Sequence, residues 1–266
     1  KRKKSIMKIE QMKKGDNEVE FVLEKSSPAY SNSLRRVALG EVPVMAIEEV
    51  NFKNNSSALY DEVIAHRLGL IPLVTDLKSY DLPESQTDID ERKAKSTLVL
   101  KLKVKGPKMV YASDMKSADP KVVPVYPKIP IVKLLKDQEL EFEAVAILGI
   151  GKEHAKWSAG HIYYRFNPKL KINNKSKDFD KFKSLYPQGA FNKKGELDAE
   201  MILNNDLVDA CEGVNKEILD ITYENDNYLF HVESWGQLKP KEILLKSMDI
   251  LNQKLDEFGK LIKKVK

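Results

Sequence analysis

The chain has 266 residues, 42% hydrophobic and 32% charged, with a formal net charge of +5. That is enough apolar material for one large or two modest cores, and no apolar run reaches the roughly 18 residues of a membrane span. The single cysteine, Cys211, excludes a disulfide framework and cysteine-rich zinc or iron–sulfur sites.

The charge is unevenly placed. Residues 1–14 hold seven Lys/Arg and one Glu, and residues 239–266 hold eight Lys and four Asp/Glu, which leaves residues 15–238 at −5. A nucleic-acid face needs basic residues on the folded body; here they are expected on tails, so no direct sequence-specific nucleic-acid contact is predicted. The chain opens Lys1-Arg2-Lys3-Lys4 and its first methionine is Met7. Its first residues are expected either to be non-native or to follow a missing stretch. No secretory apolar region begins the chain, and one cysteine suits a reducing compartment, so a cytoplasmic location is expected.

Glu18 to Leu23 alternates and then runs apolar, which predicts a strand. Ser26, Ser27 and Pro28 are expected to break it. From Tyr30 to about Gly40 the pattern is helical, with Leu34, Val37 and Ala38 on one face. Pro43 ends that helix, because proline disfavours helix in the residue before it. Val44 to Phe52 predicts a second strand.

Leu59 to Leu70 reads as a short helix with Leu59, Val63, His66 and Leu70 stacked. Residues 78–95 read as an exposed loop. Leu98, Leu100, Leu102 and Val104 alternate with Lys101, Lys103 and Lys105, a clean period of two. Five prolines between Pro107 and Pro130 forbid long regular elements. Strands are predicted at Leu140–Ala146, Ile162–Phe166 and Tyr228–Glu233, with a polar, weakly periodic stretch over 169–215. A last helix begins at Lys239-Pro240, with proline suited to its first turn. Along it Leu244, Met248, Leu251, Leu255, Phe258 and Ile262 form an apolar stripe. Spacing alone leaves open whether the stripe packs on its own domain or on another chain.

The search for chemistry finds little. Asp178-Phe179-Asp180 lacks the further carboxylates that a magnesium site for phosphoryl transfer needs. His66, His154, His161 and His231 are scattered, with no metal-binding pair. Gly149-Ile150-Gly151-Lys152 lacks the long loop and Ser/Thr of a phosphate-binding motif. Arg35 and Arg36 point about 100° apart on a helix, so one of them at least faces away from the core. No catalytic residue, metal or cofactor is predicted.

Four segments carry a resemblance. They are Asn32-Ser33-Leu34-Arg35-Arg36 with Glu41-Val42-Pro43; the run from Asp61 to Pro72; Gly151-Lys152-Glu153-His154-Ala155-Lys156-Trp157; and Val232-Glu233-Ser234-Trp235-Gly236 leading into Lys239-Pro240. Together and in this order they resemble the alpha-like subunits of cellular RNA polymerases, in the archaeal and eukaryotic branch, with the insert around Pro187 pointing to the archaeal one. The resemblance implies an α+β fold. Residues 1–50 and 222–266 would form a dimerisation domain from both chain ends, and residues 51–168 an inserted, mainly β domain.

Many archaeal members also carry a ferredoxin-like insert with cysteines spaced C-x2-C-x2-C-x3-C-P. Counting back from Pro187 puts Tyr186, Phe182, Phe179 and Ser176 at those positions. A second set would fall near Asn205, Val208, Cys211 and Asn215. Clusters are held by cysteine thiolates, so residues 169–221 read as a degenerate ferredoxin-like insert without metal, with Phe179, Phe182 and Tyr186 filling the volume; an unrelated surface insertion is the alternative.

The function implied is non-catalytic assembly of a DNA-directed RNA polymerase. A small alpha-like subunit would pair with Leu34, Val37, Leu244, Met248, Leu251, Leu255, Phe258 and Ile262. The second-largest and largest subunits would dock on Arg35, Arg36, His66, Arg67, Lys152, His154, Lys156 and Trp157, alongside other small assembly subunits. A regulator that copies the fold but binds other partners, and a basic-tailed nucleic-acid-binding module, are the alternatives.

Overall fold

A computed structural model describes residues 7–265, except the side chains of Gln11 and Met12. Ten strands and seven α-helices lie along these residues. The strands form a four-stranded sheet of order β1 (Lys8–Lys14), β2 (Glu18–Glu24), β10 (Leu219–Ser234), β9 (Gly160–Ile172), a second of order β3 (Val44–Asn55), β8 (Glu139–Gly149), β4 (Thr97–Lys105), β6 (Lys116–Ser117), and a two-stranded one of β5 (Lys108–Tyr111) and β7 (Pro130–Leu134). The chain divides into two compact units.

The larger unit comprises residues 11–21, 29–163 and 230–266. Its main sheet is antiparallel. β8 (Glu139–Gly149) is central between β3 (Val44–Asn55) and β4 (Thr97–Lys105), and the two-residue β6 (Lys116–Ser117) pairs with β4. The period-two reading of β4 holds. Leu100 and Leu102 are buried against Phe142 and Leu140 in the main core. On the other face Lys101, Lys103 and Lys105 stand opposite Glu143, Glu141 and Glu139 in register, with N···O distances of 3.0, 2.5 and 3.8 Å. Lys53 and Arg92 also reach Glu143, at 3.1 and 3.7 Å.

Helix α1 (Pro28–Gly40) starts at Pro28. Proline therefore opens this helix rather than breaking the chain before it, because its fixed φ suits a first helical position. Leu34, Val37 and Ala38, predicted to share one face, are all buried. Helix α2 (Asp61–Gly69) differs from expectation: it buries Ile64 and Leu68, while Val63 and Leu70 are 41% and 53% exposed. Of the predicted stack of Leu59, Val63, His66 and Leu70, the last three lie on the outer face, while Leu59, ahead of the helix, packs half-buried against the main core.

Residues 78–95 are not simply a loop. Helix α3 (Gln86–Asp90) lies there with Asp88 and Ile89 buried; Lys93 pairs with Asp88 at 2.5 Å, and the Glu84 backbone N–H donates to it at 2.9 Å. The proline-rich stretch holds only short elements: β5 (Lys108–Tyr111), a single 3-10 turn at Ala112–Asp114, β6 and, from Pro130, β7 (Pro130–Leu134). In the other sheet, Lys8–Lys14 form strand β1. The expected basic tail is thus an ordered strand over that part, and residues 1–6 lie outside the described residues.

The smaller unit comprises residues 22–28 and 164–229 with the start of the chain up to Glu10. It takes its strand segments from the start of β1, β2 (Glu18–Glu24), β9 (Gly160–Ile172) and β10 (Leu219–Ser234). Between β9 and β10 are the short helices α4 (Phe179–Phe182), α5 (Ala199–Asn204) and α6 (Val208–Cys211). Asp198 caps α5, accepting from the Glu200 and Met201 N–H groups at 2.9 and 3.1 Å. This stretch, which looked aperiodic, has a core of its own: Phe179, Tyr186, Ile202, Val208, Cys211 and Leu219 are buried together, with Phe182 packed against them. Several one-turn helices converge on it, so no helical period accumulates.

Candidate docking surfaces

The segment Lys152–Trp157 is built as a closed corner in the larger unit. His154 starts the turn at Ala155–Trp157, its Nδ1 accepting from the Lys156 N–H at 3.1 Å. The chain folds back and seats Trp157 against Gly149, the last residue of β8. A Cβ on Gly149 would lie 2.3 Å from two atoms of the indole ring, so only glycine permits this approach. Trp157 is 6% exposed. Lys156 Nζ lies 4.3 Å from the centre of the indole, donates to the Ile47 carbonyl at 3.1 Å and pairs with Glu48. Glu48 occupies a β-bulge, where the pairing of β3 with β8 skips from Ile47 to Glu49.

Of the predicted docking residues in this corner, His154 and Lys152 are exposed, while Trp157 is buried by the chain itself. Trp157 is therefore a residue that shapes the corner, and its indole has almost no surface left for a partner. Lys152 pairs with Glu41 at 2.6 Å, and Glu41 also meets Lys254 of α7 (Pro240–Ile262). Burial pushes the Glu41 carboxyl up, but its hydrogen bonds to the two lysines outweigh that and hold it below its ordinary value. One carboxylate thus ties the end of α1, the corner and the last helix together.

The other charges are dispersed. Arg67 Nη1 donates to the Ile131 carbonyl of β7 at 2.7 Å, and His66 beside it is exposed. Arg35 is half-buried and donates to Asn32 Oδ1 at 2.9 Å, while Arg36 is exposed.

Helix α7 divides lengthwise. Lys239 caps its start, its N–H donating to Glu242 Oε2 at 2.8 Å, with Pro240 in the first turn, and Ile243 and Ser247 are buried. Leu244, Met248 and Leu251 are half-buried. Leu255, Phe258 and Ile262 are 59%, 61% and 53% exposed. The predicted stripe is thus covered by the chain at its start and open at its end. Leu34 and Val37, at 1% and 5% exposed, belong to the chain's own core. They offer no side-chain surface to a partner and serve to hold α1 in place.

Of the positions expected to match cluster ligands, Phe179, Phe182 and Tyr186 gather in one cluster with Cys211; Ser176 lies outside it, half-buried in the turn before α4. Burial raises the Cys211 thiol. Among the described residues no group of three or more His, Cys, Asp or Glu is placed to hold a metal, and no helix is long and apolar enough to cross a membrane. Sequence reasoning missed Glu41, Glu48 and Gly149. Glu41 follows the arginine motif, but its two lysine partners come from residues more than a hundred positions away.

Residues 47–162 match the family described as the RNA polymerase Rpb3/RpoA insert domain. The subunit Rpo3 of DNA-directed RNA polymerase from Pyrococcus horikoshii is 40% identical over 260 residues, covering 95% of this chain and 96% of that protein. Its counterpart in Methanosphaera stadtmanae is 38% identical, covering 94% and 96%. The one in Archaeoglobus fulgidus is 34% identical, covering 97% and 98%. The match runs nearly end to end in each case, and the chain belongs to the Rpo3 family, the archaeal alpha-like subunits of DNA-directed RNA polymerase.

Proposed function

We propose that the chain is a non-catalytic assembly subunit of the polymerase. It pairs with a small alpha-like subunit through the open part of α7, and the pair forms the platform on which the large catalytic subunits assemble in the cytoplasm. The observation that carries this reading is the exposed row Leu255, Phe258 and Ile262 on a helix anchored at its start. A solvent-facing apolar row on an ordered helix marks a contact surface, and obligate interfaces resemble a core cut in half.

On this reading residues 1–50 and 222–266 make the dimerisation domain and residues 51–168 the insert. Residues 169–221 are a ferredoxin-like insert without metal, three of whose expected cluster positions, Phe179, Phe182 and Tyr186, pack in an apolar core. The second-largest and largest subunits dock along α1, α2 and the Lys152–Trp157 corner, using Arg35, Arg36, His66, Arg67, Lys152 and His154.

The test is co-expression with a small alpha-like subunit. A stable one-to-one complex is expected, and Leu251→Asp or Leu255→Asp should weaken it at least about tenfold, since burying each leucine is worth roughly 1.5–3 kcal/mol. Stoichiometric co-purification of both variants would reject the α7 interface. A chain that ignores the partner altogether would favour a regulator copying the fold.

A further inference from the structure

Beside the Trp157 corner, within the larger unit, lies an open groove of about 310 Å³. That is at the small end of ligand sites, which run to roughly 1,000 Å³. Its apolar lining is Leu82, Ile147 and Ile150 with the buried Trp157, and its rim carries Glu48, Glu84 and Glu153. Glu48 is neutralised by Lys156. Among the described residues Glu84 and Glu153 have no ion-pair partner within 4.0 Å, and both are exposed. The rim therefore presents two exposed carboxylates without a salt bridge over an apolar floor, Glu84 having only the longer-range charge of Lys93 near it.

The groove is also constructed. The bulge at Glu48 re-aims one strand of its wall. The opposite wall, Leu82–Ser85, is held by the bond from the Glu84 N–H to Asp88, itself locked by Lys93. The indole Nε1 of Trp157 is buried without a hydrogen-bond partner among the described residues.

We infer that this groove is a docking site for an extended, basic peptide segment of another protein. The segment lays aliphatic side chains on Leu82 and Ile150 and offers a Lys or Arg head to Glu84 and Glu153. Charge complementarity selects this occupant: an acidic segment would meet two like charges, and a purely apolar one would desolvate two carboxylates with nothing in return. The shallow volume suits one or two side chains of a strand laid across it rather than an enclosed small molecule. The inference is independent of the α7 interface.

Trp157 is one of two tryptophans, so a Trp235→Phe chain makes it the sole reporter. That chain is titrated with a capped heptapeptide alternating leucine and arginine, and with its leucine–glutamine counterpart. A saturable change in Trp157 emission is expected for the arginine peptide, at least about fivefold weaker for the glutamine peptide and at least about fivefold weaker in the Glu84→Gln/Glu153→Gln variant. Raising the salt should weaken it as well. Equal binding of both peptides, unchanged binding by the double variant, or no response to either peptide overturns the inference. Loss of α-like pairing in the co-expression assay would leave this result unaffected, so the two ideas fail separately.

Discussion

At the residue scale, Gly149 shows how one position sets a surface. Its missing Cβ is what lets the Trp157 ring close onto β8. Gly149→Ala must push the indole out or bend the strand, and overpacking of this kind costs about 1–3 kcal/mol. The expected outcome is a lower melting temperature together with a red-shifted Trp157 emission, read in the Trp235→Phe background. An unshifted spectrum with full stability would show that the corner has slack the geometry does not reveal. Nothing in the local sequence flags Gly149; its need arises from a residue that returns to it after a turn. Gly160 is a similar case, since a Cβ there would lie 2.1 Å from the Glu233 carbonyl oxygen.

At the element scale, the β4–β8 ladder makes a pH prediction. Hydrogen bonds from Lys101 and Lys53 hold the Glu143 carboxyl down to about 2, from an ordinary 4.5. A carboxylate depressed in the folded state stabilises the fold above its unfolded pKa, and that contribution fades as pH falls from about 4.5 towards 2. Glu143→Gln should therefore destabilise the chain modestly at neutral pH, and the difference from wild type should vanish at the acid end of that window. Denaturant melts at pH 7 and at pH 2–3 check this. An equal gap at both would assign the effect to packing instead. The strand and its alternation were legible, because β4 has water on one side and core on the other. The α2 face was misread for a related reason. Over only nine residues two helical faces both carry apolar side chains, and only the neighbouring β3 and β7 decide which is buried.

At the scale of the whole molecule, the two units have separate cores. Phe179 is 9% exposed within the smaller one, and Phe179→Ala should cost that core about 3 kcal/mol. Limited proteolysis should then cut between residues 173 and 218 while fragments spanning residues 44–149 stay protected. Cleavage in both regions at equal rates would mean that the units unfold as one.

Local pattern in the chain was enough for the main strands, the first and last helices and the family, because these rest on residue periodicity and on ordered motifs; it did not reveal β1, α3 or the short helices between β9 and β10. It did show that the last helix carries an apolar stripe. Only the tertiary structure decided how much of that stripe is open: Ile243 and Ser247 are buried while Leu255 and Phe258 face water. It also decided that Leu34 and Val37 are core, that Trp157 shapes a surface without presenting one, and that Glu41 joins three distant elements. Exposure and ion pairing depend on which segments return to meet one another. One-dimensional periodicity carries the preference of each segment but not the identity of its neighbour.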